Sequence, residues 1–318
     1  MAIIVGALVL IPDRHQSADF VFTEFVNDTG WSSTFYVFLI GLLLAQYTLT
    51  GYDASAHVTE ETRDAATAGP RGIVSSIVVS LIAGWILLLG VTFAIQSYDG
   101  ALNTETKVPP AQIFIDAVSR TGGELLLVIV IVAQLFCGMS SITANSRMIY
   151  AFSRDGALPA SHFWHRINPR TRTPTNAIWL GAGGAFLLGL PYLWNTTAYA
   201  AVTSIAVIGL YIAYVLPTVL RLRQGADFQP GPWLLGRWSR PIGTIAVTWV
   251  AFITVLFMLP QVYPVTWSSF NYTPIAVLVV LGFAGIYWLV SAPKWFHGPK
   301  LQGSPEELAA IERDLDRV

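Results

Sequence analysis

Seven stretches of near-continuous apolar residues, separated by short polar loops, constrain this chain more than any other feature. They run approximately over 35–52, 73–95, 125–146, 177–193, 198–220, 242–259 and 272–290. At 1.5 Å per residue, a helix needs about 20 apolar residues to cross a roughly 30 Å hydrocarbon core. Lipid offers no partner for a backbone N–H or C=O, so segments of this length must satisfy their own hydrogen bonds as helices. The pattern therefore predicts an all-α polytopic membrane protein. Composition agrees: 54% of the 318 residues are hydrophobic and only 12% are charged, against about 25% charged in soluble domains. The mean hydropathy is +0.57. These values argue against a cytosolic enzyme and a disordered tail, and the single cysteine, Cys137, excludes an intramolecular disulfide framework. A net charge of −1 gives no sign of a nucleic-acid partner. The 11 Trp and 12 Tyr suit the interfacial belts of a bilayer and need no cofactor.

The basic residues set an orientation. When alternate loops are assigned to opposite sides, one side receives 15 of the Lys and Arg and the other only Arg14, Lys107 and Arg120. Positive charge marks the cytoplasmic side. The expectation is a multi-pass protein of the cell membrane with a cytoplasmic C-terminus. A transmembrane domain would occupy 1–293 and a cytoplasmic tail 294–318. Within that tail, Ser304 followed three residues later by Glu307 predicts a capped short helix.

The first apolar run, Met1 to Ile11, does not fit a full span. Eleven residues make a helix about 16 Å long, half a bilayer, and the run lacks the basic flank and cleavage site of a signal peptide. It predicts a domain incomplete at its N-terminus: a C-terminal fragment, or a gene model begun at an internal methionine.

Two segments break the apolar pattern. In the first, Tyr47-Thr48-Leu49-Thr50-Gly51-Tyr52-Asp53 mixes β-branched residues with glycine, and an acidic stretch follows it without a turn signal. One reading is a helix broken within the membrane, whose half-helix ends offer free carbonyls and amides to ions or zwitterions. The other is that the span simply ends near Tyr52 and the acidic stretch is a cytosolic loop. The second segment, Gly138 to Arg147, carries Ser140, Ser141 and Asn145. Small and hydroxylated residues there serve close helix packing, a wet path or an ion site. Arg147 and Arg154, seven apart, share a helical face and should point to the cytoplasmic surface. A polar outer loop after Pro109-Pro110 predicts a short helix over 111–119. His162 and His165 read as part of a solvated basic loop, and sequons begin at Asn27, Asn195 and Asn271 on the outer side.

Three stretches together resemble the amino acid–polyamine–organocation permease superfamily, nearest its amino acid/choline branch of γ-aminobutyrate and choline permeases. They are Gly51-Tyr52-Asp53-Ala54-Ser55-Ala56-His57-Val58-Thr59-Glu60-Glu61-Thr62 with Gly69-Pro70-Arg71-Gly72-Ile73, then Ser146 to Pro159, then Asn168 to Trp179. The resemblance implies a partial leucine-transporter-type fold of inverted repeats. Residues 1–11 would match the end of helix 5, and the spans that follow would match helices 6–12. It implies a discontinuous helix 6, with Tyr47, Thr48, Leu49, Thr50, Gly51, Tyr52 and Asp53 bordering the substrate and released carbonyls receiving its ammonium group. It places Ser140, Ser141 and Asn145 on the helix where some relatives bind sodium. Glu60, Glu61 and Arg71 would sit at a cytoplasmic gate.

The implied function is secondary active transport of a small-molecule amino acid or related amine, by alternating access in the lipid bilayer. No cofactor is implied, and the drive would be H+, Na+ or exchange. Helices 1–4 of the family have no counterpart here, so the chain would hold about half of one binding site and would not transport alone. If the gene is split, the absent half would be a separate chain. Two alternatives stand: a non-transporting remnant or partner subunit, and a membrane-embedded enzyme. The enzyme reading is weakened because the spans proper contain no Lys, Arg or His.

Overall fold

The computed structural model describes residues 1–105, 108–194, 196–267, 269–296 and 298, apart from the side chains of Glu60, Glu61 and 196–198. The tail helix expected after Ser304 and the sequon at Asn195 lie outside the described residues. Among the described residues all regular structure is helical. In chain order the helices are α1 (Ala2–Leu10), α2 (Ala18–Thr23), α3 (Thr34–Thr48), α4 (Ala65–Phe93), α5 (Tyr98–Leu102), α6 (Pro109–Val118), α7 (Arg120–Arg154), α8 (Ser161–Trp164), α9 (Thr175–Gly189), α10 (Thr196–Gln224), α11 (Ser239–Met258) and α12 (Thr273–Val290). Among the described residues, seven helical segments are long and apolar enough to cross a membrane, and each coincides with one of the seven apolar runs. Leu44, Val79, Ile131, Phe136, Leu278 and Leu289 are all more than half exposed, the expected state of side chains that face lipid rather than water.

The chain divides into two compact units. One comprises Met1–Ser141 with Leu190–Ala276, and the other Ile142–Gly189 with the chain from Val277 onward. In the first unit, a core gathers Ile4 and Leu8 of α1, Ile113, Phe114 and Ala117 of α6, and Leu126 of α7. The half-length α1 is therefore a packed element, with Leu8 fully buried. Glycines set the spacing. A Cβ on Gly90 of α4 would lie 3.4 Å from Val5, and one on Gly123 of α7 only 2.8 Å from the backbone of Ile115. The chain after α1 is tied to the end of α4 by Gln16, whose backbone N–H donates to Phe93 O at 2.9 Å and whose side chain donates to Ile95 O at 2.8 Å. Helix α6 begins at Pro109, where a missing N–H costs nothing, two residues before the expected start.

Within the first unit, Asn271 links the end of α11 to the first residue of α12. Its amide donates to the Phe257 and Leu259 carbonyls, both at 2.8 Å, and its Oδ1 accepts from Thr273 N–H at 3.1 Å. One side chain thus caps the end of α11 and the start of α12. The sequon there is a structural cap.

In the second unit, the C-terminal half of α7 packs on α9. Asn145 lies 3.2 Å from where a Cβ on Gly181 would sit. Ala177, Ser146 and Ser153 are buried. Arg154 departs from its expected surface position. Its side chain is only 20% exposed, beside Asp155 at 3.5 Å, so the arginine is partly neutralised instead of fully solvated.

Candidate functional site

The α3 span breaks where its sequence turns against helix. Thr48 and Thr50 each turn a hydroxyl back onto the carbonyl four residues earlier, at 3.0 Å, a local competitor of the helical ladder. Gly51 then adopts φ +92°, a left-handed conformation open to glycine at little cost. Beyond it, Tyr52–Glu61 continues as a 3-10 helix. The apolar span therefore neither continues as α-helix nor ends in an open loop. Leu49 N–H reaches Ala45 O at 3.2 Å and Thr50 N–H reaches Tyr47 O at 3.1 Å, and the next closure is Ala54 N–H onto Gly51 O at 3.2 Å. The carbonyls of Thr48, Leu49 and Thr50 lie past the last α-helical closure of the span.

The break has two faces. On one, Tyr47, Thr48 and Gly51 are exposed, Tyr47 by 53%. Nothing lies within 4 Å of the position a Cβ on Gly51 would take. On the other, the chain is fastened to α10 and α11. Tyr211 OH donates to Gln46 O at 3.2 Å, and Trp249 Nε1–H to Gln46 Oε1 at 3.0 Å. Tyr214 OH donates to Asp53 Oδ1. His57 Nε2 lies 2.8 Å from Asp53 Oδ2. A carboxylate only accepts, so that ring nitrogen carries the proton. The Tyr52 ring sits 4.6 Å from that of Tyr214 and 6.4 Å, edge-on, from that of Tyr211.

The 3-10 segment also rests on α4 through the Gly69-Pro70-Arg71-Gly72 sequence. A Cβ on Gly69 would come within 3.0 Å of Thr59, and one on Gly72 within 3.2 Å of Ser55. Small residues at these two positions let a tight helix lie against α4.

The sequence-predicted residues are only partly brought together. Tyr47 to Asp53 form one continuous feature, divided between its two faces. Ser140 and Ser141 are exposed on α7, with the Ser141 hydroxyl turned back onto Cys137 O at 3.0 Å. Asn145 belongs to the other unit, against α9. Arg71 is exposed on α4, and the side chains of Glu60 and Glu61 lie outside the described residues. Gln46, Tyr211, Tyr214 and Trp249 escaped the sequence reading. The only signal was Tyr211 and Tyr214, three apart on one face of an otherwise apolar span.

Comparison with known proteins follows the same outline. Residues 1–282 match a family model described as amino acid permease. The chain is 47% identical over 306 residues to "Amino-acid permease BAT1" of Arabidopsis thaliana, covering 92% of this chain and 59% of that protein. It is 34% identical over 296 residues to the "GABA-specific permease" of Saccharomyces cerevisiae, covering 92% and 52%. It is 27% identical over 306 residues to the "Choline transporter" of the same yeast, covering 96% and 54%. The chain thus spans between about half and three-fifths of the length of these relatives.

Proposed function

This chain belongs to the amino acid permease family, and we propose that it supplies the substrate-bearing broken helix and its supporting spans in a secondary active carrier of an amino acid or related amine. The carrying observation is the interruption at 48–51, where the α-helical ladder of an apolar span stops. Unpaired backbone in lipid is expensive and persists where it lines a cavity or meets a ligand. Carbonyl oxygens in a row suit an ammonium group. The exposed face of Tyr47, Thr48 and Gly51 is where such a group would arrive.

In this reading the partner groups for the substrate carboxylate come from outside the 318 residues, and the chain acts as a carrier component rather than an enzyme. The relatives' names make γ-aminobutyrate and choline the first substrates to try. H+ or Na+ coupling and a cytoplasmic C-terminus complete the proposal.

The test is equilibrium binding. The chain is co-produced in nanodiscs with the part of the Arabidopsis relative that it does not match, and a panel of labelled amino acids and choline is titrated. Saturable binding of one of them to the pair, and none to the chain alone, is expected. Absence of binding to the pair, while the relative's own two parts bind, would sink the reading.

A further inference from the structure

Asp53 is the acidic residue nearest the break, and its position invites a role as counter-ion to the substrate amine. The contacts point elsewhere. One carboxylate oxygen receives the Tyr214 hydroxyl from α10 and the other receives His57 Nε2 at 2.8 Å. The side chain is only 21% exposed and that of His57 26%. On the other side of the break, Gln46 is held in the same manner, its backbone carbonyl by Tyr211 and its side chain by Trp249. Tyr211 and Tyr214 thus hold the chain on either side of Gly51, and Gln46 adds an anchor on α11.

We propose that Asp53 is a positioning residue, clasping the segment after the break to α10 through Tyr214 while His57 occupies its second oxygen, and that it is not a ligand of the substrate. The broken helix then keeps a fixed seat on α10, and the carbonyls of Thr48, Leu49 and Thr50 are held in place between two anchors. A neutral hydroxyl donating to a carboxylate makes a stronger hydrogen bond than a neutral pair does. Severing it should free the 3-10 segment while leaving distant helices as they were. The inference shares the reading of the break as a binding site, but its test needs no transport.

Hydrogen–deuterium exchange on the full chain in lipid nanodiscs reads the clasp directly. Tyr214→Phe removes the donor and Asp53→Asn removes the charge. Each should speed exchange of the amides over 52–62 by about tenfold or more, the scale of a lost hydrogen bond to a charged group. Helix α6 should be unchanged. Tyr192→Phe, which removes an exposed hydroxyl outside the site, should leave exchange over 52–62 unchanged. The double variant should be no faster than the faster single one, because partners in one contact are non-additive. Unchanged exchange in Tyr214→Phe, additive effects in the double variant, or acceleration spread equally over α6 would each overturn the clasp. A failure to bind substrate, with the exchange pattern as expected, would count against the proposed function and leave the clasp standing.

Discussion

Gly51 shows how far a single residue could be read in advance. Glycine among β-branched residues signalled a break, and the structure places it at φ +92° with open space around it. The left-handed conformation costs an L-residue about 1–2 kcal/mol, and a β-branched side chain there is a genuine outlier. A Cβ at Gly51 meets nothing within 4 Å, so the penalty of Gly51→Val is chiefly conformational. The backbone relieves it by rotating at 50–51, which moves the carbonyls of Thr48 to Thr50. Since 1.4 kcal/mol is tenfold in affinity, Gly51→Val should weaken amine binding by the paired nanodisc preparation about tenfold or more, with the protein still folded. Unchanged affinity in the titration would remove these carbonyls from the site. By contrast, nothing near Asp53 in sequence announced Tyr214, which is 161 residues away. Local pattern reports a residue's own backbone preference; it carries no record of a partner on another span.

At the scale of elements, the seven spans were legible because length and hydropathy are properties of a segment in isolation. The 3-10 form of Tyr52–Glu61 was not, since it depends on Gly69 and Gly72 giving it room on α4. The packed state of α1 was equally hidden. Its eleven apolar residues read only as too short, whereas Ile4 and Leu8 belong to the core with α6 and α7. Loop charge is also an element property, and it gives a side to every loop. His162, within α8 of the basic loop, and Trp267, between α11 and α12, are both exposed and fall on opposite sides of that assignment. In a Cys137→Ser background, a membrane-impermeant maleimide applied to intact cells should label Trp267→Cys and spare His162→Cys until the membrane is opened. The reverse pattern would invert the orientation.

For the whole molecule, the low charge content has a structural counterpart. The proposed site consists of backbone carbonyls, tyrosines and one carboxylate that is already engaged, so recognition there would fall to dipoles arranged by helix geometry rather than to free ions. The family was legible from three short motifs. The paired construction of the site was not, because it depends on contacts between spans. A carrier differs from a remnant, a partner subunit or an enzyme in one respect: it exchanges substrate across a sealed bilayer without consuming it. The most direct measurement is counterflow in proteoliposomes. They would contain this chain together with the unmatched part of the Arabidopsis relative and be preloaded with the unlabelled amine that the pair binds. The account predicts transient accumulation of labelled amine above its equilibrium level with the pair and none with either part alone. Liposomes that bind the amine but never accumulate it would contradict the claim that these spans form the working part of a carrier.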